Sequence, residues 1–165
     1  MISDTKVVAI GGGTGLSTML KGLKLHTHNI TAVVTVADDG GSSGILRSDL
    51  GMLAPGDVRN CVSALAEVDP VMGELLNFRF KDGSLKGHSL GNLFLAALNE
   101  TSSSFDEAVK KFSHLTGVVG TVYPVTNESV TLSALLEDGR LIEGESHISQ
   151  RDGDIIKAGY NEEVD

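Results

Sequence analysis

The first forty residues contain two apolar runs typical of strands and, between them, apolar residues at helical spacing. An unbroken apolar run over 7–10 is typical of a strand covered on both faces in a parallel sheet. A helix over 16–25 is predicted by apolar residues at helical spacing, Leu16, Met19, Leu20 and Leu23. A second run of β-forming residues over 30–36 ends at Asp38-Asp39. Strand, helix and strand in about 30 residues predict a right-handed βαβ unit.

The middle of the chain alternates polar breaks with helical patterns. Glycine and serine over 40–44 predict a mobile loop, because these residues disfavour regular structure. One helix is predicted to begin near Asp57, and Asp69-Pro70 separates it from a second helix over 71–80. A third stretch, 90–98, is apolar nearly all round and predicts a buried helix.

The last third of the chain changes from helical to alternating patterns. Ser104 and Glu107 form a capping box that predicts a helix through Leu115, ended by Gly117. Alternating residues from Val130 and a tight turn at Asp138-Gly139 predict an antiparallel hairpin. The tail over 150–165 is polar and predicts no closing element.

These elements predict an α/β fold of the Rossmann-like, doubly wound type. Its sheet is expected to be mostly parallel, with the hairpin added to it. The length of 165 residues and the 41% hydrophobic content suffice for one compact domain over 1–165.

Charge and composition narrow the classes of partner. The chain carries 13 Lys and Arg against 22 Asp and Glu, a formal charge of -9, which would repel nucleic acid. The single cysteine, Cys61, lies in an amphipathic stretch and is expected to be buried. The N-terminal apolar run has four residues, too short for a signal peptide or a membrane span, so a cytoplasmic protein is predicted.

The turn after the first strand is the strongest candidate site. Five residues join a predicted buried strand to a predicted helix: Gly11, Gly12, Gly13, Thr14 and Gly15. Glycines there let backbone amides approach anionic oxygens at a helix N-terminus, and Thr14 and Ser17 can add hydroxyl donors. The turn therefore predicts phosphate binding. Leu16 stands where the third glycine of a dinucleotide fingerprint would fall, which disfavours NAD.

Acidic residues follow the second strand, where a nucleotide-binding fold holds ribose. One of Asp38 and Asp39 could orient the loop while the other, together with Asp57, holds a divalent cation against phosphates. Solvated acids beside a loop are the alternative. Arg47 and Arg59 could meet a phosphate, or form surface ion pairs.

A second candidate contact precedes the predicted buried helix. His88, Ser89 and Asn92 combine polar side chains with glycines. Asn92 enters an apolar helix and should need a hydrogen-bond partner, and Ser89 could simply cap the helix. A hydrolytic triad built on Ser89 and His88 is disfavoured, because no nucleophile-elbow pattern surrounds them.

Four ordered strings carry a resemblance to a known family: VVAIGGGTGLSTMLKGLK, ITAVVTVADDGGSSGILR, PGDVRNCVSAL and GHSLGNLFLAAL. They resemble the YvcK-type gluconeogenesis factors, bacterial proteins related to the 2-phospho-lactate transferases. The resemblance implies a nucleotide-binding fold that takes UDP-sugars, notably UDP-N-acetylglucosamine. It also implies a regulator needed for growth on gluconeogenic carbon, cell-wall synthesis and cell shape.

The resemblance also implies site residues and alternatives. By motif position, Asp39 and Asp57 would hold the divalent metal of the related transferases, with Mg²⁺ as the expected ion. The family chain is about twice as long, so this chain is expected to be its N-terminal part. A nucleotide-sugar-binding regulator without enzymatic activity is the first hypothesis. A metal-dependent enzyme that transfers a phosphorylated group is the second, and an NAD-binding protein is the third. Cell-wall or signalling proteins and a second copy of the chain are expected as partners.

Overall fold

A parallel sheet of three strands organises the first part of the computed structural model, which describes residues 3–160. The strands are β1 (Val7–Gly11), β2 (Ile30–Val34) and β3 (Thr121–Pro124), and β2 lies in the middle. Helix α1 (Gly13–Leu23) connects β1 to β2. Five helices lie between β2 and β3: α2 (Gly41–Leu50), α3 (Gly56–Leu65), α4 (Pro70–Asn77), α5 (Leu90–Glu100) and α6 (Phe105–Leu115). The predicted βαβ unit and α/β class are confirmed.

A separate antiparallel sheet follows. Its central strand β4 (Leu132–Leu136) pairs with β5 (Leu141–Glu143) and with β6 (Ile155–Tyr160), and the short helix α7 (Glu145–Ser149) lies between β5 and β6. The predicted hairpin is confirmed. The prediction that the tail has no closing element is wrong, because β6 hydrogen-bonds along β4. The apolar residues Ile156, Ala158 and Tyr160 alternate along β6, but the polar residues on both sides of them hid this strand, which pairs with β4. The last part of the tail, 161–165, lies outside the described residues.

One face of the parallel sheet carries the hydrophobic core. The sheet residues on this face are Ala9, Ile30, Ala32, Val34 and Val122. They belong to one cluster with buried residues of the helices, including Leu20, Cys61, Leu65, Val109 and Phe112. The predicted burial of Cys61 is confirmed.

The opposite face of the parallel sheet is open. Val8 is 65% exposed and Ile10 is 76% exposed, and both alternate with the buried Ala9. Ile10 is in register with Val33 of β2, and Val33 with Tyr123 of β3, so an apolar row crosses the sheet. The prediction that β1 is covered on both faces is therefore wrong, since within residues 3–160 the helices bury one face only.

Residues 40–44 are not a mobile loop, so that prediction is wrong. Helix α2 begins at Gly41, and Ser42 and Ser43 are buried. A Cβ atom on Gly44 would lie 2.1 Å from the carbonyl oxygen of Asp39. The small residues serve close packing of the helix against the chain after β2, and Gly41 in addition has a φ of +46°, a left-handed conformation that favours glycine.

The remaining predicted helices are present in the structure, with differences in detail. Asp69 caps α4, and Ser104 caps α6 by accepting the amide proton of Glu107 at 3.1 Å. Helix α5 is only partly buried, because the ring of Phe94 is exposed on its outer side. No helix of the described residues is long and apolar enough to cross a membrane.

Candidate functional site

The glycine turn brings β1 directly into α1. Helix α1 has Gly12 as its N-cap, with no capping side chain of its own. The amide of Gly13 instead donates to Asp57 Oδ2 at 2.6 Å, so a residue of α3 satisfies the first amide of α1. The next amides of the turn, those of Thr14 and Gly15, belong to the set that a helix cannot satisfy internally, and both residues are exposed.

Each of the glycines at positions 12, 13 and 15 of the turn has different surroundings or a different backbone conformation. A Cβ on Gly12 would lie 2.1 Å from Thr35 Cγ2 and 2.6 Å from Asp57 Oδ2, so position 12 requires glycine for packing. Gly13 has a φ of +65°, a left-handed conformation that favours glycine. A Cβ on Gly15 would meet nothing within 4 Å. Gly15 therefore faces open space at the N-terminus of α1, while the hydroxyl of the buried Ser17 donates to the Thr14 carbonyl at 3.1 Å.

The two acids after β2 point to different partners. Asp38 Oδ1 accepts the amide proton of Gly40 at 2.9 Å, and its other carboxylate oxygen faces Gly56 at the start of α3. Asp39 Oδ1 accepts the amide proton of Ser146 at 2.8 Å, which joins the chain after β2 to α7. The structure thus brings Asp38 and Asp57 to one cleft and directs Asp39 to the antiparallel sheet. No group of three metal-ligating side chains with metal-holding geometry occurs within residues 3–160, and a metal site at Asp39 and Asp57 stays a prediction.

Negative charge accumulates at this point. Burial raises the pKa of Asp57, the hydrogen bond from Gly13 lowers it, and the nearby Asp38 raises it again. The pKa of Glu145 is also raised, first by burial and then by repulsion from Asp38, Asp57 and Asp39. These carboxylates therefore repel one another, a state that a bound cation would relieve.

A buried polar network connects α2, α3 and α5. Arg59 Nε donates to Asn92 Oδ1 at 3.2 Å, and Asn92 Nδ2 donates to Ser42 Oγ at 3.1 Å. Ser42 Oγ lies 2.9 Å from His88 Nδ1. Because Asn92 donates to the hydroxyl, the hydroxyl proton is free to bond Nδ1, which favours the His88 tautomer protonated on Nε2. The prediction that Asn92 needs a partner is confirmed.

Several predicted site residues have structural partners of their own. Ser89 caps α5 by accepting the amide proton of Asn92 at 3.2 Å. Arg47 donates to the carbonyls of Ala37 at 3.1 Å and Val130 at 2.8 Å, so it joins the chain after β2 to the segment before β4. Contact of His88, Ser89 or Asn92 with a ligand stays a prediction.

The sequence analysis missed Ser42, and it missed the way in which Arg59 is held. Gly91 makes room for Arg59, because a Cβ there would lie 2.9 Å from the Arg59 Cδ and 2.6 Å from the Leu76 carbonyl oxygen. The signal that could have indicated Arg59 was its position between Val58 and the apolar residues Cys61 and Val62, which α3 buries.

A polar cleft of about 250 Å³ adjoins the two acids. It lies beside the start of α2 and α3, and its lining includes Asp38, Ser42, Asp57, Arg59, Asn60 and Arg79. Asp57 borders both this cleft and the glycine turn. The cleft is lined by both acids and arginines, which suits a ligand with unlike polar groups.

Comparison with known proteins identifies the family. The profile of the family described as 2-phospho-L-lactate transferase CofD matches residues 7–164. The chain belongs to the CofD family. The match covers both sheets and every residue of the cleft.

Individual CofD-family relatives are close in sequence. A Thermoanaerobacterium thermosulfurigenes protein is 63% identical over 147 residues, which are 89% of this chain and 46% of the relative. A Bacillus subtilis protein named gluconeogenesis factor is 51% identical over 146 residues, 88% of this chain and 46% of the relative. The predicted resemblance to the gluconeogenesis factors is confirmed, and the chain spans about half the length of these relatives.

A solved structure of a related protein shares the fold. The crystal structure of a Bacillus halodurans protein matches with a TM-score of 0.92 and 44% identity, over 97% of this chain and 52% of that protein. The predicted α/β fold with a parallel sheet and an added antiparallel unit is confirmed by this match.

Proposed function

We propose that this chain provides the phosphate-binding half of a site for a nucleotide-sugar, of the UDP-N-acetylglucosamine type, in a regulatory protein. The observation that carries the proposal is the glycine turn. The amides of Thr14 and Gly15 lie at the N-terminus of α1 beside open space, where the Gly13 amide already has the Asp57 carboxylate as its acceptor, an arrangement suited to pyrophosphate oxygens.

The acids supply the second part of the proposed site. Asp38 and Asp57 face the same cleft beside the turn, within reach of a ribose hydroxyl or of a cation that bridges to phosphate. Carboxylate oxygens are the donors that Mg²⁺ prefers, so the donor set fits that ion. His88, Ser89 and Asn92 are the further proposed ligand contacts, and His88 and Asn92 also join α2 to the start of α5 through Ser42.

The regulatory role follows the names of the relatives. Proteins named gluconeogenesis factor are about 50% identical to this chain over most of its length, and a role in gluconeogenic growth is proposed for the whole protein on that basis. Roles in cell-wall synthesis and cell shape are proposed only from the resemblance of the sequence motifs to the YvcK-type family. Its site of action is proposed to be the cytoplasm. Cell-wall or signalling proteins and a second copy of the chain are the proposed partners.

Mass spectrometry of small molecules released from the purified protein tests the ligand. Recovery of a UDP-sugar supports the proposal. Recovery of NAD would favour a dinucleotide site instead, and calorimetry that detects no binding of UDP-N-acetylglucosamine to a polypeptide of the relatives' full length would overturn the proposal.

A metal-dependent transferase is the second candidate function. The description of the matching family and the paired acids Asp38 and Asp57 favour it. An enzyme of this kind needs a metal on the developing phosphate charge, whereas a binding regulator needs only ground-state affinity. Titration of the nucleotide with Mg²⁺ and with a chelator separates the two, since strict metal dependence together with turnover of a phosphorylated donor is expected only of the enzyme.

A further inference from the structure

We infer that the cleft beside Asp38 and Asp57 binds an acidic group, a phosphate or a carboxylate, between Arg59 and Arg79. This subsite is separate from the amides of the glycine turn, and it does not require a nucleotide to be bound there. Three observations about the arginines of the cleft and one about its acids carry the inference.

Arg59 is a buried cation without an ion pair. It is 6% exposed, and its hydrogen-bond acceptors are two neutral amides, Asn92 Oδ1 and, at 2.9 Å from Nη1, Asn77 Oδ1. Within residues 3–160 no carboxylate lies within 4.0 Å of its guanidinium. Asp57 attracts Arg59 from beyond that distance, and a buried charge without a direct ion pair is costly.

A second guanidinium lines the same cleft. Arg79 follows α4 and is exposed, and its Nη1 donates to the carbonyl of Gly87. Burial lowers the pKa of Arg59 most, and the positive charge of Arg79 lowers it next. The attraction of Asp57, the smallest of the three effects, raises it. Two like charges beside one cleft are stabilised when an anion lies between them, and the planar fork of arginine suits oxyanions.

The fold holds Arg59 in a fixed direction. Its aliphatic part passes Gly91, where a side chain would collide with it, and Asn77 is itself fixed by donating to the carbonyl of Gly73 at 2.8 Å. The donors of Arg59 are thus oriented before any ligand arrives, which reduces the entropy lost on binding.

The two acids that line the cleft, Asp38 and Asp57, do not exclude an anion. Gly40 and Gly13 donate amide protons to Asp38 and Asp57, which offsets part of their charge. The volume of about 250 Å³ is below the ~300–1,000 Å³ of whole ligand pockets, so the cleft suits one part of a ligand. The expected occupant carries hydroxyl groups toward Asp38 and a terminal phosphate or carboxylate toward the arginines.

Calorimetric titration with inorganic phosphate at constant ionic strength tests the subsite. Arg79→Gln is the main variant because Arg79 is exposed and supports no buried group, and about a tenfold loss of phosphate affinity is expected. Arg151→Gln is the matched control, since Arg151 is also exposed and donates to one backbone carbonyl, that of Ile148 at 3.0 Å. The control should bind phosphate as the parent does.

A variant of the turn separates the two phosphate sites. Gly15→Val should keep the arginine-dependent phosphate binding, because position 15 belongs to the other site. Titration with acetate in competition with phosphate distinguishes a carboxylate site from one selective for phosphate. The inference is overturned if the parent binds neither anion, if Arg79→Gln and Arg151→Gln bind equally, or if Gly15→Val alone removes binding. If Gly15→Val loses nucleotide binding and keeps phosphate binding, both proposals are supported. If UDP-N-acetylglucosamine does not bind even to the parent, only the proposed function is overturned.

Discussion

At the scale of single residues, Asp57 joins the parts of the site. It accepts the first amide of α1, lies beside Asp38 and lines the cleft. Its raised pKa means that the ionised carboxylate destabilises the fold. A residue kept at such a cost is typical of a functional site.

We expect Asp57→Asn to raise the melting temperature at pH 7 by a few degrees. The folded-state pKa of Asp57 lies above its ordinary value of 3.8, so its contribution to stability is present below that value and is lost as pH rises through the raised pKa. Asparagine can still accept the Gly13 amide proton without a charge. Thermal melts should therefore separate variant and parent at neutral pH and converge in acid. Asp49→Asn on the exposed side of α2 is the control, and a melting temperature lowered by Asp57→Asn would contradict the expectation.

The glycines of the turn should respond differently to substitution. Gly12→Ala forces a Cβ against Thr35 and should cost about 1–3 kcal/mol of unfolding free energy. Gly15→Val should leave the fold intact and weaken binding of UDP-N-acetylglucosamine at least tenfold in a polypeptide that carries the complete site. Urea denaturation measures the first effect and calorimetry the second. Unchanged nucleotide affinity in a folded Gly15→Val variant would place the phosphates elsewhere.

At the scale of elements, the capping box shows what a local pattern can predict. Ser104 and Glu107 lie three residues apart, and the helix begins where they indicate. The structure adds one detail, because Glu107 Oε2 accepts from the amide of Ser103 at 2.8 Å and from the Ser103 hydroxyl at 2.6 Å. These bonds lower the pKa of Glu107 to about 2.

Ser104→Ala should reduce the free energy of unfolding by about 1 kcal/mol, because it leaves the Glu107 amide without its acceptor. Chemical denaturation measures the difference. Ser149→Ala, which removes a hydroxyl at the end of α7, provides a control without a capped amide. An effect of Ser104→Ala no larger than that of the control would show that the cap contributes nothing.

Elements whose residues serve long-range packing were harder to predict. The glycines and serines over 40–44 give a local signal for a loop, yet their small size admits α2 against Asp39 and α3. Strand β6 is a short apolar stretch between polar and charged residues, and its order depends on β4, about 20 residues earlier. The candidate site divides in the same way: the glycine turn is visible in the sequence, whereas the pairing of Arg59 with Asn92, 33 residues apart, is set by helix packing.

At the scale of the whole molecule, the open face of the parallel sheet is the main feature. Val8, Ile10 and Tyr123 lie on it, and β1 has one edge unpaired within the described residues. Doubly wound folds cover both faces of such a sheet. The chain spans about half of its relatives, so their remaining half is the natural candidate to complete the sheet and the pocket.

The 165-residue chain alone should therefore bind UDP-N-acetylglucosamine weakly or not at all. A nucleotide-sugar needs polar groups for its base and sugar around an enclosed pocket, and the described residues supply mainly phosphate contacts. Thermal shifts with and without the nucleotide-sugar compare this chain with a polypeptide extended to the relatives' length, and a clear rise is expected only for the longer one. An equal, saturable rise for both would show that the whole site lies within residues 1–165.

The passage of Arg59 over Gly91 has a consequence for sequence divergence. Any side chain at position 91 must displace both the aliphatic part of Arg59 and the backbone carbonyl of Leu76, so a shorter residue at position 59 relieves only one of the two contacts. Glycine at 91 should thus be required whatever residue stands at 59. In a combinatorial library of both positions scored for folding, Gly91→Ala should be rejected with arginine at 59 and with a shorter apolar residue there alike, so the two positions should show little epistasis.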